Sequence, residues 1–199
     1  MGAVAGHAHG PYTLYDLDAL PDDGLRYELA DGWLTELPGD LWHDHAAERL
    51  RGLLRDAAAR AGADVHVGGP PRDVGTAAGI RRPDAFAVGR DVARAALESQ
   101  ARTYYGPDLL LVAEVVTPRT GSERTDRVRK VAEYAATGIP HYWIVDLEPR
   151  AAVTLLELSR PGAADAHYRV RRRVRAGEDL TAERPFPIRF DPARLSEME

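Results

Sequence analysis

The chain has 199 residues, 44% of them hydrophobic and 29% charged, which suits a soluble globular protein with one core or at most two small ones. It has no cysteine, which excludes disulfide scaffolds, thiolate zinc sites, iron–sulfur clusters and cysteine nucleophiles. The formal net charge is −5, so nucleic acid can be met only through a local basic patch; of the 26 basic residues a single one, Lys130, is lysine.

Residues 1–11 are rich in glycine, alanine and histidine. No basic region followed by an apolar run marks them as a secretory leader, and they read as a flexible tail. Residues 12–199 read as one domain. No stretch approaches the length of a membrane span, so a cytoplasmic protein without membrane contact is expected.

Residues 12–20 predict a short helix closed by Pro21. Residues 26–37 alternate about Asp31-Gly32, a strong hairpin signal. Residues 43–61 carry apolar side chains at 46, 50, 53, 54 and 57, a helical spacing that Gly62 stops. Residues 64–67 read as a strand, and Gly-Gly-Pro-Pro at 68–71 as a turn. After a second turn-rich stretch, residues 82–88 predict a short strand. Residues 90–106 leave a helical excursion and a loop both open. Residues 109–116 are apolar enough for a buried strand. Residues 120–137 predict a helix, with Thr120 and Glu123 as a capping box and Gly138 as its end. Residues 141–146 form a further strand, and 153–158 with 168–174 a closing antiparallel pair. This order predicts a mixed α/β fold with a central sheet.

Glu114 lies inside Leu-Leu-Leu-Val-Ala-Glu-Val-Val. A strand this apolar is covered on both faces, and a carboxylate there is costly unless paired. By alternation it shares a face with Leu110, Val112 and Val116. One reading is a salt bridge to one of the many arginines. Asp84 follows Pro83 and opens an apolar strand; alone it reads as a turn or cap aspartate. Together, two carboxylates on neighbouring strands can hold a hard divalent cation. On the helix after Glu114, Val128, Val131 and Ala135 repeat at core spacing, while Asp126, Lys130 and Tyr134 form a different stripe. Asp126–Lys130 is then either a surface i,i+4 pair, worth roughly 0.2–0.5 kcal/mol, or a lysine delivered to the carboxylates.

These residues carry a resemblance. Pro83-Asp84, Glu114 and Lys130 resemble the PD-(D/E)XK nuclease signature in a migrated form. The usual lysine position, two residues after the acid, holds Val116. The stretch Val112-Ala-Glu-Val-Val-Thr-Pro-Arg-Thr, then Asp126, Lys130, Tyr134, Gly138-Ile-Pro and Tyr142-Trp-Ile-Val-Asp146, is similar to the Uma-type restriction endonuclease family. In that family the following helix supplies the lysine. Tyr27-Glu28-Leu29 with Asp31-Gly32 resembles its N-terminal hairpin. The resemblance spans residues 12–190, and Thr117 stands where the family usually has serine.

It implies a restriction-endonuclease-like core, a central mixed sheet flanked by helices. It further implies that Asp84 and Glu114 hold Mg²⁺ or Mn²⁺, with the backbone carbonyl of Val115 as a further ligand. Glu28 would complete the site or orient a water. Lys130 would position the attacking water or stabilise charge in the transition state. DNA is the implied substrate, cleaved at its phosphodiester bonds, and a homodimer the implied assembly. Two other readings stay open: a non-catalytic, dimeric interaction domain that keeps the fold, and a phosphodiesterase for RNA or small nucleotides.

Other residues read more plainly. His43 and His45 cannot share a metal on one helix and suggest capping or packing. His7 and His9 fall in the tail, and His66 and His141 read as structural. Trp33 and Trp143 read as core. Arg171-Arg172-Arg173 could touch phosphate but reads first as charge protecting an edge strand. Arg81, Arg82, Arg119, Arg124, Arg127 and Arg129 bracket the carboxylates and suggest a local positive field, with solvated helix-face charge the other reading of Arg127 and Arg129. The excess of arginine fits a GC-rich coding sequence; the one lysine, a compact point charge, is then either a chance survivor in a surface pair with Asp126 or the cationic partner of the two carboxylates.

Overall fold

A computed structural model of the chain describes residues 10–21, 26–37, 40–118 and 121–198, apart from the side chains of residues 121 and 122. The Thr120 capping box lies outside the described residues, as do His7, His9 and Arg119. The elements run α1 (Leu14–Asp18), β1 (Tyr27–Ala30), β2 (Trp33–Glu36), α2 (Leu41–Ala61), β3 (Val65–Gly68), β4 (Asp73–Gly75), β5 (Gly79–Arg81), β6 (Ala85–Gly89) and α3 (Arg90–Glu98). They continue with β7 (Thr103–Tyr105), β8 (Leu109–Val116), α4 (Gly121–Arg124), α5 (Lys130–Thr137), β9 (His141–Asp146), β10 (Ala152–Ser159), β11 (His167–Arg175), β12 (Leu180–Ala182) and β13 (Ile188–Phe190).

The predicted hairpin forms because Asp31 and Gly32 both take left-handed backbone, the geometry a two-residue turn between twisted strands requires. Helix α2 starts on Asp40, whose carboxylate accepts from the His43 N–H at 2.7 Å, and stops at left-handed Gly62. The turn-rich stretch before residue 82 is more ordered than its composition suggests. It supplies β4 and β5, which join the hairpin and β7 in a five-stranded sheet of order β2-β1-β5-β4-β7. The span left open at residues 90–106 resolves into both alternatives, α3 and a connection ending in β7.

The larger sheet has six strands in the order β11-β10-β9-β8-β6-β3, with β8 and β9 parallel and the other pairs antiparallel. It is the predicted mixed sheet flanked by helices. One face packs Leu50, Leu54 and Ala57 of α2 against Ala87, Leu111, Ala113 and Val145. The other packs Tyr134 and Ile139 against Phe86, Val112, Val116 and Tyr142. Strand β8 is buried on both faces, and alternation sends Glu114 to the second one, under α5.

Two core assignments are corrected. Trp143 is buried, but Trp33 is 59% exposed, because β2 is the edge strand of the five-stranded sheet. Val128 is 58% exposed, while Ala135 is buried and Val131 half-buried. Residues 125–129 form a π turn, closed by the Lys130 N–H on the Thr125 carbonyl. The wider turn rotates Val128 outward and brings Asp126 and Lys130 inward.

The packing predicts a sharp contrast on α2. Leu50→Ala, fully buried, should lower unfolding free energy by about 3 kcal/mol, and Leu41→Ala, 90% exposed, by a few tenths at most. Urea melts of the two variants check this.

Candidate active site

Asp84 stands one residue before the Ala85–Ala113 pair of β6 and β8, so it comes beside Glu114 at the strand ends. Both carboxylates are buried and line one cavity of about 420 Å³. Glu28, Val115, Asp126, Lys130 and His43 line it too. The structure thus brings Asp84, Glu114, Val115, Lys130 and Glu28 around one space.

Lys130 is the hub. Its Nζ lies 3.1 Å from Glu28 Oε1, 3.0 Å from Glu114 Oε1 and 3.1 Å from Asp126 Oδ1. The surface-pair reading of Asp126–Lys130 is therefore corrected: Asp126 and Lys130 are both buried, because the π turn points them at the sheet. Burial opposes the ammonium, but the three carboxylates outweigh it and hold its pKa well above the usual lysine value.

The acids differ in how they are satisfied. Glu28 takes Lys130 and the Arg82 N–H, at 2.9 Å, on Oε1, and Arg81 Nη1, also at 2.9 Å, on Oε2. Burial pushes its pKa up, but Lys130 and Arg81 prevail and the net shift is downward. Arg81 is itself buried between Glu28 and Glu133. It was expected to add to a positive field, but its charge is spent inside the protein. Arg82 pairs with Asp73, Arg127 with Glu123 and Asp146, and Arg129 with Asp31.

Glu114 accepts both Lys130 and the Tyr134 hydroxyl, at 2.7 Å, on Oε1. Asp84 accepts the Val115 N–H at 2.7 Å and His43 Nε2 at 3.1 Å, both on Oδ2. Each thus has one oxygen fixed by two protein groups. No described residue bonds Oε2 of Glu114 or Oδ1 of Asp84. Since no buried side-chain oxygen among the described residues lacks a partner, these two are open to the cavity. Burial, reinforced by Asp126, Asp84 and Glu28, pushes the Glu114 pKa up to about 8. Asp126 is likewise raised, by burial first.

His43 is the residue that sequence reasoning missed. It does not merely cap or pack: Nδ1 lies 3.3 Å from Asp44 and Nε2 contacts Asp84. Burial opposes its charge, but Asp84 and Asp44 outweigh that and raise its pKa to about 9. The only sequence signal was its place in the first turn of α2, whose partner 41 residues away no local pattern reveals. His45 contacts the Glu197 carbonyl instead, so the two histidines do not act together.

Two acids on adjacent strands and a lysine from the following helix are the arrangement that the resemblance to the PD-(D/E)XK signature implies. The chain is similar to a crystal structure from Anabaena variabilis described as "a putative nuclease belonging to DUF820". That match has a TM-score of 0.64 and 14% identity, over 93% of this chain and 97% of that one, and it speaks for the fold. The model of the Uma2 family, "Putative restriction endonuclease", matches residues 14–195, and the chain belongs to that family. No curated protein matches it.

The raised pKa values of Glu114 and His43 bear on the pH dependence of stability without metal. Glu114 binds a proton more readily folded than unfolded, so stability falls as pH rises between 4.5 and about 8. The His43 contribution is complete below 6.5 and is lost as pH rises through about 9. Urea midpoints measured in a chelator should therefore decline across this range. Glu114→Gln should flatten the lower part of the curve and His43→Gln the upper.

Proposed function

We propose that the protein is a metal-dependent endonuclease that hydrolyses phosphodiester bonds in DNA. The observation that carries this is the pair of open oxygens, Asp84 Oδ1 and Glu114 Oε2, beside a buried, protonated lysine. Membership of the family and the nuclease fold support the same reading.

The donor set fits a hard cation. Five acids, Glu28, Glu36, Asp84, Glu114 and Asp126, line the cavity, and burial leaves Glu114 short of counter-charge. No three described His, Asp or Glu side chains converge closely enough to hold a metal alone. Mg²⁺ suits that arrangement, since it is commonly held by one or two carboxylates and keeps several waters. Asp84, Glu114 and the carbonyl of Val115 would hold Mg²⁺ or Mn²⁺. When bound, the ion supplies charge neutralisation at the phosphate and acidifies a water.

The chain's own groups do the rest. The Val115 N–H and His43 fix the rotation of Asp84, and Tyr134 and Lys130 fix that of Glu114. Lys130, kept protonated by its three carboxylates, serves as a fixed cation and donor toward charge developing on the phosphate, not as a base. Glu28, with both oxygens engaged, holds Lys130 in place.

Mg²⁺- or Mn²⁺-dependent cleavage of DNA should fall by about 100-fold or more in Asp84→Asn and in Lys130→Met. Lys130→Arg should also be impaired although it keeps the charge, because the larger planar group cannot sit among three carboxylates placed for an ammonium. Wild-type cleavage by both Asp84→Asn and Lys130→Met would sink the proposal. Binding of Mn²⁺ near pH 7 should release protons from Glu114, seen in calorimetry as an enthalpy that varies with the buffer.

A further inference from the structure

Strand β11 reads His-Tyr-Arg-Val-Arg-Arg-Arg-Val-Arg and is the outer edge of the six-stranded sheet. Charge on an edge strand deters pairing with other chains, which is sufficient reason for arginines there. The register gives two of them a second meaning. Glu114 pairs with Ile144, Ile144 with Thr154, and Thr154 with Arg173, forming one row across four strands. The next row on that face joins Val116, Asp146, Ala152 and Arg175. Residues directly opposite one another project from the same face. Arg173 and Arg175 therefore stand on the face that carries Glu114. Three strand spacings separate the two strands, about 14 Å.

Helix contacts tie this corner to the site. Asp126 faces Lys130, while the next residue, Arg127, pairs with Asp146. Asp146 also accepts Arg173 Nη2 at 3.0 Å, so two arginines share one carboxylate. Glu123 lies 3.3 Å from Arg127. Glu178 accepts the backbone N–H of Arg175, and no described side chain bonds the Arg175 guanidinium. Arg175 is exposed, and Arg173 half-exposed. Arg175 is thus the guanidinium of this corner with no described partner, and Glu114 stands three strands away on the same face.

We propose that Arg173 and Arg175 form a backbone-phosphate contact that seats a nucleic-acid strand running from the edge of β11 toward the cavity. This rests on the nuclease reading and adds where the strand lies. The contact is to phosphate, so it carries no sequence preference.

Binding measured without divalent metal separates this from catalysis. Fluorescence polarisation with labelled single-stranded and duplex DNA, in a chelator, would compare the full chain with Arg173→Gln/Arg175→Gln. A second double variant, Arg60→Gln/Arg94→Gln, changes the net charge equally at exposed sites on α2 and α3. At about 50 mM salt the first pair should lose about tenfold or more in affinity, and its salt dependence should be shallower by about one to two ions released. The control should lose little. Arg173→Lys/Arg175→Lys should retain most of the binding. Equal losses in both Gln pairs would overturn the proposal, as would aggregation of the first pair with unchanged affinity in its monodisperse fraction, or an absence of DNA binding by the full chain. Metal-dependent cleavage that persists in the first pair with unchanged binding would leave the nuclease reading standing and remove the phosphate contact alone.

Discussion

The structure turns on one ammonium group. Lys130 Nζ holds Glu28 from β1, Glu114 from β8 and Asp126 from its own helix within 3.1 Å. Each acid comes from a different element, so a single charge fastens the hairpin, the central sheet and the helix together. Removing one partner of a buried ion pair costs about 3–5 kcal/mol. Here Glu114 and Asp126 would lose their cation, while Glu28 would keep Arg81. Glu114 already sits near the limit, protonated up to about pH 8 with Lys130 present.

A second buried cation completes the frame. Arg81 on β5 bridges Glu28 to Glu133 on α5, and Glu133 also accepts the Thr76 hydroxyl. The small sheet is thereby joined to the helix that carries Lys130. The π turn belongs to the same logic. It exposes Val128, an apolar loss, and brings Asp126 to Lys130. The geometry of the charges, not the apolar stripe, decides the rotation of this helix.

Much of this was legible in the sequence. Asp31-Gly32 announced the hairpin, and Gly62 and Gly138 ended their helices as expected, because left-handed backbone singles out glycine. The apolar run at 109–116 became β8 with those limits, and 141–146 became β9. What failed had a common cause. Trp33 alternates like a core residue, yet its strand lies at a sheet edge. Arg81 looked like surface charge, yet β5 puts it between two acids. His43 gave no local sign of Asp84. Each depends on which elements become neighbours.

The sequence by itself determined the hairpin, helix α2 and strands β8 and β9, the lone carboxylate in an apolar run, and the oddity of one lysine among 26 basic residues. Those are local or compositional properties, set by backbone preference and side-chain chemistry. Only the tertiary structure decided that Lys130 faces three acids, that Glu28 is saturated while Asp84 and Glu114 keep an open oxygen, and that β11 lies on the sheet face of Glu114. Pairing register and helix rotation arise from long-range contacts, and electrostatic partners are selected by distance in space rather than along the chain.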